Sequence, residues 1–401
     1  MGEIAMNIAE GRGFSSPFDR GAQPTAWECP IVPFLFAGLI KLAGGATGQV
    51  NRLILLSQAM VSAFAAAIYW LIARRLTILH PGLFSAWLSP VLALVVCLWP
   101  ESLSSVANPW YFVWQEAALA VFVLLAMRWW DQLDFYRGIL VGIAGGVLAL
   151  INVAPLPIIA FAILFPALKG PFQWPILRSI AVPACFFAIV AAPWLARNAI
   201  EFRTFVPFRS NTGYEIFQGN NEVECIRQPD NARHPWFHAE EYERYAMLGE
   251  IRYSHEAMRR AAEYMQNHPG ETVRRTAARI YVSWLTDLTD HWAKKSEQKW
   301  WLRRPWFVAG HLTSVLLTIA SLGIILHALW SGKFRHLPYA PLFAAVVLFL
   351  PLANYFTLAE TEYTATLRMW LGVIAVLLLA LRRPQREPGG LAQGGFESPG
   401  Y

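Results

Sequence analysis

Apolar residues gather in long runs along this chain, and short polar loops separate most of them. Nine runs read as spans, near 51–73, 84–100, 109–128, 137–152, 154–168, 179–197, 305–330, 337–356 and 366–381. The fourth and fifth together hold about thirty residues, where two full spans need about forty. Pro155 and Pro157 divide them, so they read as a hairpin of short or tilted helices. Pro30–Leu42 is apolar but too short to span, and reads as an interfacial helix. Residues 1–30 are polar and Gly-rich, with one short helical stretch at Glu3–Glu10 and no signal-peptide pattern.

One long polar block, 198–304, interrupts the runs. Ala239–His268 reads as a single amphipathic helix, in which Tyr242, Tyr245, Met247 and Ile251 alternate with Glu and Arg and His268-Pro269 closes it. A second helix is expected over Glu271–Leu288. Arg203–Asn221, with Pro207, Gly213 and Gly219, reads as extended structure and turns. The expected division is a first outer loop with its interfacial helix (1–50), a membrane bundle (51–197), a mostly helical outer insert (198–304), C-terminal spans (305–383) and a Gly/Pro-rich disordered tail (384–401).

Composition sharpens this picture. Of 401 residues, 56% are hydrophobic and 15% charged, and mean hydropathy is +0.36. That excludes a soluble enzyme, a disordered chain and a coiled coil, and leaves an all-α polytopic membrane protein of about nine helices. The net charge of +6 raises nucleic acid as a partner, but the basic residues have a simpler pattern. Arg74, Arg75, Arg128, Arg137, Lys169, Arg178, Lys333, Arg335, Arg382, Arg383 and Arg386 fall in alternate loops, which makes those loops cytoplasmic. The N-terminus and the 198–304 block then lie on the outer face. The 18 Trp suit membrane interfaces first and sugar stacking second. Four cysteines make neither a disulfide framework nor a metal site: Cys97 and Cys185 lie in apolar runs, while Cys29 and Cys225 are either free thiols or a bridge.

Candidate chemistry collects at the outer ends of the spans, where ionisable residues are costly to place. The opening loop offers Glu3, Glu10, Arg12, Asp19, Arg20 and Glu28, which suit a solvated loop as well as a site; Trp27-Glu28 pairs an indole with a carboxylate. Trp114-Gln115-Glu116 sets a carboxylate about two turns inside the third span. Arg197, beside Trp194, reads as an interfacial anchor or a lipid-phosphate ligand. Arg209-Ser210-Asn211 and Gly219-Asn220-Asn221-Glu222 follow, the second being first of all a turn signal. Glu360, Glu362, Tyr363 and Arg368 are placed in the last outer loop, and Asp287, Asp290 and His291 read as an acid pair with a His or as helix-end caps.

Taken in order, these segments resemble bacterial membrane glycosyltransferases of the GT-C type, relatives of the dolichyl-phosphate-mannose–protein mannosyltransferases. The matching stretches are Ile8–Phe18, Pro24–Pro30, Pro193-Trp194 with Arg197-Asn198, Val206–Asn211, Gly219–Glu222, His234-Pro235, Gly249-Glu250 with Tyr253, and His268-Pro269. The resemblance implies a GT-C-like fold in the bacterial inner membrane. It implies inverting transfer of a sugar from a polyprenyl-phosphate carrier to a glycan, lipid or protein acceptor on the outer face. No cofactor is implied, although some relatives use a divalent cation. On this resemblance Glu3, Glu28 and Glu116 are the catalytic candidates. Trp27, Trp114, Arg197, Arg209, Asn220, Asn221, Tyr363 and Arg368 are the substrate-binding ones. Family members carry a further span and an acid ahead of the segment matching Met1-Gly2, so transfer by the chain as written is expected to be impaired. The competing class is a non-catalytic lipid-linked-sugar binding protein or a transporter.

Overall fold

A computed structural model of the chain describes residues 1–18, 23–45, 47–168, 174–223, 233–285, 305–359 and 361–382. Cys225, Asp287, Asp290, His291, Glu360, the side chain of Glu362 and the tail from 384 lie outside the described residues. Among those described, the chain is helical, with one isolated bridge between Ser15 and Pro24. Helices α1 (Gly2–Ala9) and α2 (Ile31–Leu42) pack on each other beside the bundle. The bundle contains α3 (Thr47–Leu79), α4 (Leu88–Leu98), α5 (Pro100–Ala107), α6 (Phe112–Asp131), α7 (Phe135–Ile151), α8 (Leu156–Leu168) and α9 (Trp174–Phe202). The insert contains α10 (Thr212–Gly219), α11 (Ala239–Leu248), α12 (Glu250–Asn267) and α13 (Pro269–Leu285). The chain then returns through α14 (Pro305–Trp330), α15 (Ala340–Phe349), α16 (Leu352–Phe356) and α17 (Thr361–Ala380).

Each of the nine apolar runs is helical, but they are unequal. Among the described residues five helices are long and apolar enough to cross a membrane, and α4 with α5, bent by 50° at Trp99-Pro100, makes a sixth. This is an integral, multi-pass membrane protein. The short α7 and α8 agree with the hairpin of short or tilted helices read from their two runs, and α15–α16 is likewise apolar but shorter than a full span. At 1.5 Å per residue the 17 residues of α7 reach about 25 Å, against a hydrocarbon core of about 30 Å.

The short helices nonetheless run between the same two ends of the bundle as the long ones. At one end Arg75 pairs with Asp131, which also accepts from Tyr339 Oη at 2.5 Å. There Arg137 donates to the Arg128 carbonyl, Ser179 to the Leu133 carbonyl, and Arg382 N–H to the Leu83 carbonyl. These contacts gather the loops that carry the basic residues. At the opposite end Asn152 meets Gln115, Asn220 meets Phe356, and Trp194 Nε1 donates to the Phe208 carbonyl.

The insert differs from expectation in two places. The amphipathic stretch 239–268 is two helices, because Gly249 sits at φ +74°, a left-handed position that ends α11 and starts α12. Residues 212–219 form α10 rather than extended chain: Gly219 is kept small because a Cβ there would run into the Thr357 carbonyl and the Arg279 guanidinium. The core of the insert is aromatic, built from Tyr214, Phe217, Tyr245 and Tyr253 with Trp27 from the opening loop, so it is completed from outside its own sequence.

Candidate functional site

The opening loop returns to the insert over Thr25–Trp27, and every backbone group there is fixed. Thr25 N–H donates to the Phe14 carbonyl, and the Thr25 carbonyl accepts from Arg197 Nη1 at 2.6 Å. Ala26 N–H donates to Glu250 Oε1 at 2.7 Å, and its carbonyl accepts from Ser210 N–H. Trp27 N–H donates to Thr25 Oγ1, and its carbonyl accepts from Arg209 Nε at 2.9 Å. Glu250 also accepts from Thr25 Oγ1 and Ser210 Oγ, both at 2.5 Å, and from Tyr245 Oη at 3.1 Å. Burial raises the Glu250 carboxyl above the ordinary range, against the pull of these donors. Its place in the first turn of α12, behind Gly249, follows from the helix break.

This clamp presents Glu28 to a cavity of about 710 Å³ at the end of the bundle away from the basic loops. Glu28 is buried, with Oε2 3.4 Å from Arg209 Nη2, and the same nitrogen lies 3.5 Å from Glu215 Oε1. Asn211 Nδ2 donates to Glu215 at 2.7 Å. Burial opposes the charge on Arg209, but Glu28 and Glu215 outweigh it and raise its pKa. Burial raises the Glu215 carboxyl, with Arg209 opposing. Nη1 of Arg209 has no hydrogen bond among the described residues. Glu3, on α1, also lines the cavity and has neither hydrogen bond nor ion pair there. Trp27, Trp110, Tyr111, Tyr214 and Tyr363 supply aromatic walls. His234 lies edge-on to Phe18 and Tyr214, and burial lowers its pKa to about 4.

Five of the expected site residues meet at this cavity: Glu3, Trp27, Glu28, Arg209 and Tyr363. The others do not reach it. Glu116 is buried against Ser102 and faces α5, while Gln115, its neighbour, lines the cavity. Trp114 packs into an apolar cluster with α1 and α2. Asn220 and Asn221 turn their amides onto the carbonyls of Ile216, Phe356, Phe217 and Gln218, which closes α10. Arg197 bonds the carbonyls of Phe14 and Thr25 and lies over the rings of Phe14, Trp194 and Phe202, so it holds the opening loop. Arg368 lies inside α17, fully buried, with Nε 2.7 Å from Glu101 Oε1 and Nη1 on Thr364. It is therefore not in an outer loop.

Of the opening-loop carboxylates, which suit a solvated loop as well as a site, Glu28 is buried, Glu3 half-buried and Glu10 exposed, while Asp19, like Arg20, lies outside the described residues. Ile4, Ala5 and Asn7 are buried, and Asn7 Nδ2 donates to the carbonyls of Ser15 and Ser16. Among the described residues no group of three or more His, Cys, Asp or Glu is placed to hold a metal ion. Sequence reasoning missed Asn152, Glu215, Gln218 and Asn354. For Asn152 and Asn354 a signal existed: each is an amide within an apolar stretch.

No family model matches the chain, and no curated protein matches it. Among solved structures it is similar to the crystal structure of ArnT from Cupriavidus metallidurans in the apo state. Identity is 12%, the match covers 94% of this chain and 72% of that one, and the TM-score is 0.39. A likeness that loose assigns neither fold nor function.

Proposed function

We propose that this protein is an inner-membrane glycosyltransferase of GT-C type that moves a sugar from a polyprenyl-phosphate carrier to an acceptor on the outer face. The observation that carries the reading is the convergence of an unengaged carboxylate, Glu3, and a clamped guanidinium, Arg209, in one aromatic-walled cavity at the end of the apolar bundle. Glu3 takes the proton of the acceptor hydroxyl, which attacks the anomeric carbon as the phosphate leaves. A single displacement inverts that carbon. The departing phosphate gains charge, and Arg209 Nη1 donates to it while Glu28 and Glu215 hold the guanidinium in place. The sequence resemblance to GT-C enzymes supports the same reading independently.

The experiment uses full-length protein in nanodiscs. Undecaprenyl phosphate is expected to bind, and Arg209→Lys to weaken it about tenfold or more, because a point charge replaces the planar fork. With undecaprenyl-phosphate-linked hexoses and envelope membranes as the source of acceptor, release of undecaprenyl phosphate is expected. Glu3→Gln should slow that release about a hundredfold to ten-thousandfold. Absence of both carrier binding and release would sink the proposal; release undiminished in Glu3→Gln would remove Glu3 as the base.

A further inference from the structure

Beside the opening loop, and separate from the cavity, the bundle carries an open groove of about 690 Å³. Its walls are apolar: Ile31, Phe34 and Leu35 of α2, Leu150 of α7, and Val190 and Trp194 of α9. Phe34 and Leu35 are exposed, and α9 is the one of the five long spans that the rest of the protein covers least. The Trp194 indole is fixed, with Nε1 on the Phe208 carbonyl and its ring edge-on to Phe14. The groove and the cavity share no lining residue. The opening loop contributes to both, giving Phe14 and Pro30 to the groove and Trp27 and Glu28 to the cavity.

Arg197 closes one end of the groove. Val190 stands seven residues earlier on α9, near the middle of the span Ile176–Phe202. At 1.5 Å per residue that is about 10 Å deeper. Depth thus orders the groove, apolar at mid-span and cationic toward the surface. Three of the five N–H groups of Arg197 go to the Thr25 carbonyl, the Asn198 side chain and the Phe14 carbonyl. Nε and one N–H of Nη2 have no partner among the described residues, and Nε is not sealed inside the protein.

The carboxylates nearest Arg197 are Glu201 and Glu250, and neither pairs with it among the described residues. Glu250 is engaged in the clamp. Glu201 is exposed and is followed by exposed Arg203, so the rim keeps a net positive charge. A guanidinium within a span is costly when no anion faces it. An inorganic anion would leave the apolar walls uncovered, and a neutral hydrocarbon would leave the charge unmatched. A molecule with an aliphatic chain and a net negative headgroup satisfies both, in the order that depth imposes. We propose that the groove binds an anionic phospholipid of the surrounding bilayer, with an acyl chain along Phe34, Leu35 and Val190 and the phosphate on Arg197 Nε. Nη1 and Nη2 of the same guanidinium hold the opening loop, so the bound lipid steadies the segment that carries Glu28. Bilayer composition then contributes to stability through ordinary linkage. The proposal does not draw on the transfer reaction.

The test uses the full chain in dodecyl maltoside micelles, with phosphatidylglycerol that carries a diazirine on one acyl chain. After irradiation the labelled peptides are read by mass spectrometry. Label is expected within residues 31–35 and 190–194. Unlabelled phosphatidylglycerol should displace it about tenfold more effectively than phosphatidylcholine, the worth of one charge-assisted hydrogen bond. Arg197→Lys should keep that preference. Arg197→Gln, which retains amide donors for the loop but no charge, should abolish it, a change that a purely structural role for Arg197 does not produce. Leu35→Trp, at an exposed position, should remove the label from the groove. Added phosphatidylglycerol should raise the unfolding temperature of the unaltered protein and not that of Leu35→Trp. Absence of label at both segments, equal displacement by the two phospholipids, or an undiminished preference in Arg197→Gln would overturn the proposal. Displacement by undecaprenyl phosphate at lower concentration than phosphatidylglycerol would overturn it too, and would assign the groove to the carrier.

Discussion

Glu250 touches no cavity atom, yet it ties the opening loop, the segment after α9 and α11 together at one carboxylate. Hydrogen bonds to a charged acceptor are worth about 1.5–3 kcal/mol each, and leaving buried donors unpaired adds to the cost of losing them. Glu250→Ala is expected to destabilise the protein by at least about 3 kcal/mol, read as a large fall in unfolding temperature, and to move the Trp27 fluorescence environment with it. His234 offers a pH-dependent counterpart. Its Nδ1 accepts from Trp236 N–H at 3.0 Å, which requires the neutral ring. The folded pKa of about 4 lies below the ordinary 6.5, so the unfolded chain takes up the proton first. Stability should therefore be fully present above pH 6.5 and fall as pH drops from 6.5 to about 4. Unfolding temperature measured across that window should fall less in His234→Asn, which keeps an acceptor and cannot titrate.

At the scale of elements, the insert is governed by close approaches that a composition count does not show. Gly219→Ala drives a methyl into backbone at Thr357, which cannot move aside as a flexible side chain would, and should cost at least about 1–3 kcal/mol. Gly270→Ala, in the first turn of α13 with open space around it, should be neutral or stabilising by up to about 1 kcal/mol. Thermal unfolding of the two variants side by side checks the contrast. The same elements show what was legible. Apolar runs predicted the bundle helices except α5, which lies between two of the runs, because burial in lipid demands continuous apolar faces. Gly213 and Gly219 read as turn signals, but packing against α12 and residue 357 overrides the local propensity. The Asn pair after Gly219 read as substrate ligands, and satisfies helix carbonyls instead. Glu28 and Arg209 were legible as charges beside aromatics at a membrane surface. Glu215 and Gln218 were not, since they reach the cavity only because residues 212–219 are helical.

For the whole molecule, the two ends of the bundle carry different chemistry. The loops at one end hold Arg75, Arg128, Arg137 and Arg382, and the cavity opens at the other. Reporter fusions at Gly82 and Asn267 are expected to give opposite signals, with Gly82 cytoplasmic and Asn267 outside, as loop charge dictates. A cytoplasmic signal at Asn267 would overturn that orientation. The alternation of ends was readable from charge and run length. The shortness of α7 and α8 was readable too, from the length of their two runs; the packing of α7 against α6 and α9 was not, because it joins helices far apart in sequence as well as neighbours.

The fixed backbone at Thr25–Trp27 has a consequence for how the protein is made. Two of its partners, Arg197 and Arg209, leave the ribosome 172 and 182 residues after Thr25 and Trp27, and Glu250 follows 224 residues after Ala26. A nascent chain therefore inserts most of its bundle while Glu28 still has no wall to sit in. The cavity is assembled late, once α12 has formed and brought Glu250 to the loop. Until then the half-built bundle offers the lipid around it no formed cavity.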